Sequence, residues 1–78
     1  MSFNYSKLRG KIREVYSTQS AFAFAVGMST VSLSHKLNNM KEFTQKDIEK
    51  TIDALEIPKE EIPQYFFTLE VQEVEQTN

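Results

Sequence analysis

The sequence predicts an all-α domain of four or five short helices, and three observations predict it. Apolar residues recur at intervals of three and four through most of the chain. Serine, threonine or asparagine stands before each such stretch, where a side-chain oxygen can cap the first free N–H groups. Glycine, an asparagine pair or proline follows each one.

The elements follow in order. Leu8, Ile12 and Val15 form one stripe, with Asn4 or Ser6 placed to start the helix. Lys7 and Lys11 flank that stripe on one side and Arg9 and Arg13 on the other, most simply as a solvated surface. Thr18 caps a second helix over about Gln19–Val26, and Gly27 supplies its left-handed stop. Ser29 or Thr30 opens a third, which reaches about Leu37 and ends in the turn at Asn38-Asn39. Thr44-Gln45-Lys46-Asp47 reads as a capping box with aspartate in the acidic place, opening a fourth helix whose Ile48, Ile52 and Leu55 share a face. Pro58 and Pro63 leave room for a short helix or turn around Lys59–Phe67. Beyond it Phe67, Leu69 and Val71 alternate with polar residues, which is strand periodicity. A lone strand needs a twin from a second subunit or a partner's edge, and the other reading is a frayed terminus. The chain therefore divides into a folded unit over 1–67 and an acidic tail over 68–78, partly disordered or pairing with a partner.

Composition bounds the chemistry. A chain of 78 residues is a single small domain that buries only about 60% of its unfolded surface. With no cysteine it has no disulfide, thiolate metal site or cysteine nucleophile, and this fits a reducing cytoplasm. A single histidine, His35, excludes a multi-histidine metal site, and no catalytic residue or cofactor is expected. Two glycines cannot build a glycine-rich phosphate loop. Ala21–Val26, the longest apolar run, is too short to span a bilayer and lacks a strongly basic opposite face, so no membrane role is expected. The net charge of −2 hides an asymmetry. Residues 1–46 carry seven Lys or Arg against two acids, a balance of +5, and residues 47–78 carry two against nine, a balance of −7. Such a split fits one face for a polyanion and another for solvent or a partner; equally, an acidic half keeps a small protein soluble.

Information concentrates in residues 19–38. Two short helices are joined by a sharp turn at Gly27, and Ala23, four residues earlier, lets them approach closely. Helical spacing puts Leu33 and Leu37 on one side of the second helix and Val31, Ser34, His35 and Asn38 on the other. An apolar back with a hydrogen-bonding front is the form of a helix-turn-helix recognition element.

The segment resembles the helix-turn-helix of the lambda-repressor-like superfamily, whose small Cro proteins and repressors share a five-helix domain. The stretches NYSKLRGKIREVYSTQSAFA, STVSLSHKLNN and FTQKDIEKTIDALEI are similar to small Cro-type or modulator-of-repression regulators of Gram-positive temperate phages. The likeness covers about residues 3–67. It implies a cytoplasmic, nucleoid-associated regulator of the choice between lytic and lysogenic growth, binding double-stranded operator DNA, with a homodimer on two half-sites as a possible form. By that resemblance Gln19 touches a phosphate, Ser29, Thr30 and Val31 approach phosphate and bases, and Ser34 lies on the same front. His35 and Asn38 make further base or backbone contacts, and Lys36 and Lys41 serve phosphates. One departure is the charged Lys36 in a slot the family fills with an apolar residue.

Alternatives stand beside these roles. Val31 is either a thymine-methyl contact or a partly buried packing residue. Phe24 lies about 160° from Phe22 on the outer face of its helix. There it either anchors a protein partner, making the chain an antirepressor in complex with the phage's lysogenic repressor, or packs under the N-terminus against Phe3 or Tyr5. Phe67 and Leu69, with Phe66, either belong to a partner or dimer interface or fold back on the core.

Overall fold

A computed structural model describes residues 2–70. The chain is all-helical, with α1 at Ser6–Tyr16, α2 at Gln19–Ala25, α3 at Thr30–Leu37, α4 at Gln45–Leu55 and α5 at Ile62–Phe66, preceded by a 3₁₀ turn at Lys59–Glu61. The starts are chemically simple. Thr18 accepts from the Ala21 N–H at 3.1 Å and Ser29 from the Ser32 N–H at 3.0 Å. The capping box of α4 is complete, with Thr44 accepting from the Asp47 N–H at 3.0 Å and Asp47 from the Thr44 N–H at 2.9 Å.

Three helices end alike, in a left-handed residue that closes the last turn. At α2 it is Gly27, φ 73°. The Gly27 N–H donates to Phe24 O and the Met28 N–H to Ala23 O, the double closure that turns the chain sharply into α3. At α3 it is Asn39, φ 63°, with Met40 N–H donating to His35 O at 2.7 Å. At α4 it is Glu56, φ 53°, with Ile57 N–H donating to Ile52 O at 2.9 Å. Glycine and asparagine tolerate this conformation, whereas glutamate adopts it under strain.

The core is built where the periodicity puts it, from Leu8, Ile12, Phe22, Ala23, Leu33, Leu37 and Leu55, closed by Tyr65 and Phe66. The stripe of α1 differs from expectation at its end. Val15 is 47% exposed, and Tyr16 turns inward instead, its ring edge-on to Phe22 at 5.4 Å. Thr51, half-way along α4, is fully buried, and its Oγ1 has no hydrogen-bond partner among the described residues.

The chain ends meet each other. Phe3 and Leu69 form an isolated antiparallel bridge, with Asn4 N–H donating to Thr68 O at 2.7 Å and Glu70 N–H to Ser2 O at 3.0 Å. The other edge of Phe3 is held by Asn39, whose Oδ1 accepts from the Phe3 N–H and whose Nδ2 donates to Phe3 O, both at 2.9 Å. The twin that the alternation of Phe67 and Leu69 requires is thus the chain's own N-terminus. Residues 68–70 therefore belong with the folded part, past the boundary expected at 67. Val71 and the remainder of the acidic tail lie outside the described residues. Among the described residues no helix is long and apolar enough to cross a membrane.

Two stability predictions follow from the turns and the buried hydroxyl. Gly27→Ala should destabilise the fold and Glu56→Gly should stabilise it, each by about 1 kcal/mol, because only the former puts a Cβ on a left-handed residue. Urea unfolding of both variants checks the opposite signs. Thr51→Val should raise stability by about 1 kcal/mol by removing a buried polar group without a partner; an unchanged or lower midpoint would show that the hydroxyl is satisfied.

Candidate functional site

The α2–α3 pair is positioned by what it buries. Phe22 and Ala23 of α2 and Leu33 and Leu37 of α3 go into the core, and helical geometry then sends the residues between them outward. Ser29, Thr30 and Val31 are exposed at the start of α3, Val31 at 64%, so Val31 is not a packing residue. Ser34 and His35 follow on the same side, half-buried.

One of the two expected phosphate-facing cations is otherwise engaged. Lys36 was expected to serve a phosphate; instead its Nζ lies 2.6 Å from Asp47 Oδ2, with the two side chains only 12% and 14% exposed. The physical reason is the capping box, which fixes the Asp47 carboxylate at the start of α4 beside the last turn of α3. A lysine in the motif's apolar slot is thereby paired rather than stranded. Burial alone would push the Asp47 carboxyl up, but hydrogen bonds from Lys36 and from the backbone and hydroxyl of Thr44 outweigh it and hold the carboxyl below its ordinary value.

Arg9 is likewise not a solvated flank residue. Its guanidinium reaches from α1 to both ends of the α2–α3 pair, donating to Gln19 Oε1 at 3.2 Å, Leu37 O at 3.1 Å and Asn38 Oδ1 at 2.8 Å. Arginine has donors only, so both amides must turn their oxygens toward it. Asn38 also donates through Nδ2 to Ser34 Oγ at 3.4 Å, and its side chain is thus tied into this network. Lys41, just past α3, is exposed.

Phe24 is 88% exposed and does not pack against Phe3 or Tyr5. Those two rings occupy each other instead, at 6.2 Å. Phe24 stands at the edge of an open groove of about 660 Å³ between the last turn of α2 and the second half of α4, lined also by Tyr16, Val26, Lys50, Asp53 and Ala54. Phe67 and Leu69 are exposed elsewhere. Phe67 rests edge-on against Phe3 at 6.0 Å and rims a separate cavity of about 430 Å³ with Met40 and Phe43. No group of three His, Cys, Asp or Glu that could hold a metal occurs among the described residues.

Residues 1–69 match the family described as "Protein of unknown function (DUF739)". The chain belongs to that family. No curated protein matches it. Among solved structures it is similar to the solution structure of the modulator of repression (MOR) of the temperate bacteriophage TP901-1 from Lactococcus lactis. That match has 42% identity and a TM-score of 0.77, and covers 92% of this chain and 97% of the other. The likeness to a phage regulator of repression thus extends over nearly the whole of both chains.

In this DUF739 chain, sequence reasoning missed the contacts between distant residues. The Arg9 network spans 10 and 29 positions, and the groove beside Phe24 takes Lys50 and Asp53 from α4. No local spacing signals either. Only the Thr44–Asp47 box could have pointed to Asp47 as an anchor for a neighbouring cation.

The Lys36–Asp47 pair gives a pH prediction. A carboxyl whose pKa is lower in the folded chain than in the unfolded one adds stability above the unfolded value, about 3.9. That contribution is lost as pH falls through the folded value. Lys36→Met removes one cause of the lowering, so its stability should fall less steeply than wild type below about pH 4. Urea midpoints measured from pH 6 to pH 2.5 check this, and parallel curves would show that the pair contributes nothing.

Proposed function

We propose that this chain is a phage modulator of repression that acts by forming a complex with the lysogenic repressor, with Phe24 as the anchor. The observation that carries this reading is the 88% exposure of Phe24, the most exposed large apolar side chain among the described residues. A large ring left in water adds nothing to the fold, and aromatic side chains dominate the energetics of protein interfaces. The similarity to the modulator of repression of phage TP901-1 supports the same reading. Capture of the repressor lowers the concentration free to hold its operator, which favours lytic growth.

The exposed start of α3 supports a second reading, in which Ser29, Thr30 and Val31 enter the major groove of operator DNA as a recognition helix, with Gln19, Ser34, His35, Asn38 and Lys41 around them. It is the weaker reading because the front has no arginine for a guanine, and Arg9 and Lys36 are engaged within the domain. Phosphate contacts supply most of the affinity of such complexes.

A mobility-shift experiment on the early-promoter region, with and without repressor, separates the two. The proposal predicts no shift by this protein alone and loss of the repressor–operator complex when both are present. Phe24→Glu should abolish that effect with the helical circular dichroism unchanged. A shift by the protein alone, lost in the double variant Thr30→Ala, Val31→Ala, would make operator binding primary, and an unaltered effect of Phe24→Glu would remove the anchor.

A further inference from the structure

The two ends of the chain meet at a point that also fixes the end of α3. Phe3 carries a neighbour on each edge of its backbone. On one edge residues 68–70 pair with residues 2–4, through Asn4 N–H to Thr68 O and Glu70 N–H to Ser2 O. On the other edge the Asn39 side chain takes the place of a strand, accepting from Phe3 N–H and donating to Phe3 O. Asn39 is at the same time the left-handed residue that closes α3. Leu37 and Asn38, just before it, accept from the Arg9 guanidinium, which also holds Gln19 at the start of α2. Hydrogen bonds and two peptide units thus lead from Glu70 through Phe3 and Asn39 to the end of α3 and the start of α2.

The outer part of this route is lightly held. Ser2, Asn4, Asn39, Thr68, Leu69 and Glu70 are all exposed. Phe3 and Phe67, whose rings meet edge-on, line an open cavity of about 430 Å³ instead of closing it. Exposed backbone bonds with few buried contacts mark a segment that opens at lower free energy than the core. We infer that residues 68–70 are a strap. Docked on residues 2–4, they hold Asn39 and order the end of α3; released, they loosen it while the core stays folded. The inference depends on neither reading of the partner. The sequence continues for eight residues past Glu70, two of them glutamates. A ligand or protease that draws the C-terminal segment away therefore acts on the α2–α3 surface without touching it. Coupling of this kind is reciprocal, so a partner that orders the end of α3 also tightens the strap.

The test is amide hydrogen exchange on the full chain, read as protection at single residues. Glu70→Pro deletes the N–H that donates to Ser2 O, and proline favours the extended backbone that the residue before it needs. Asn39→Gly keeps the left-handed stop and removes only the side-chain clamp. The reporters are Met40 and Lys41, whose N–H groups close α3 on His35 O, and Glu70; Val26 and Leu33 report the core. The expected result is a loss of protection of tenfold or more at Met40 and Lys41 in Glu70→Pro, and at Glu70 in Asn39→Gly. Val26 and Leu33 should stay within twofold of wild type in both. A chain ending at Phe67 should match Glu70→Pro, and one ending at Glu70 should match wild type. Wild-type protection of Met40 in Glu70→Pro would overturn the coupling, whether or not the shortened chains fold. Equal losses at the core reporters would also overturn it, by showing that the strap does not open separately.

Discussion

The contact between Phe22 and Tyr16 holds the rest of this small domain in place. Phe22 is fully buried in the middle of a seven-residue helix, Tyr16 meets its ring edge-on, and the Tyr16 hydroxyl ends on the backbone of α4. One aromatic pair thus joins α1, α2 and α4. Its consequence is geometric. At 3.6 residues per turn, burying Phe22 sends Phe24 to the opposite side, and no rotation of so short a helix can bury both. The ring in solvent follows from the ring that makes the core.

Charge is distributed by the same economy. A domain of this size has few buried positions, yet it puts one ion pair, Lys36–Asp47, largely out of water between α3 and α4. Removing either partner leaves the other uncompensated, so the pair fixes how α3 meets α4 even if it adds little net stability. Arg9 performs a related task with neutral acceptors, tying the start of α2 to the end of α3. Cations that would otherwise face outward are thereby committed to holding the α2–α3 pair together. The outward surface of that pair is left with hydroxyls, amides, one histidine, small alanines and two large exposed apolar side chains, Phe24 and Val31.

What could be read from the sequence divides by range. The starts of α2, α3 and α4 were legible because Thr18, Ser29 and Thr44 cap through side chains reaching three residues ahead. In contrast, α1 starts after Tyr5 with no side-chain cap there, in place of the Asn4 or Ser6 cap expected. The stops at Gly27 and Asn39 were legible for the same local reason. The end of α1 was not, because Val15 and Tyr16 both suit the stripe, and the core was filled by the larger ring. Alternation at Phe67 and Leu69 signalled an extended segment but could not say that its twin was Phe3, 66 positions earlier in the same chain. The candidate site shows the same split. Exposure of Phe24 and Val31 follows from helical arithmetic, whereas the fates of Arg9, Lys36 and Asn38 depend on partners the local pattern does not contain.

The central claim is that the surface around Phe24 contacts a phage repressor. Its most direct test is an amide chemical-shift titration of the labelled chain with the DNA-binding domain of that repressor. The account predicts the largest changes in residues 22–27 and 49–56, the two walls of the groove, with smaller ones along α3. Changes confined to residues 29–41, or none at saturating repressor, would contradict it.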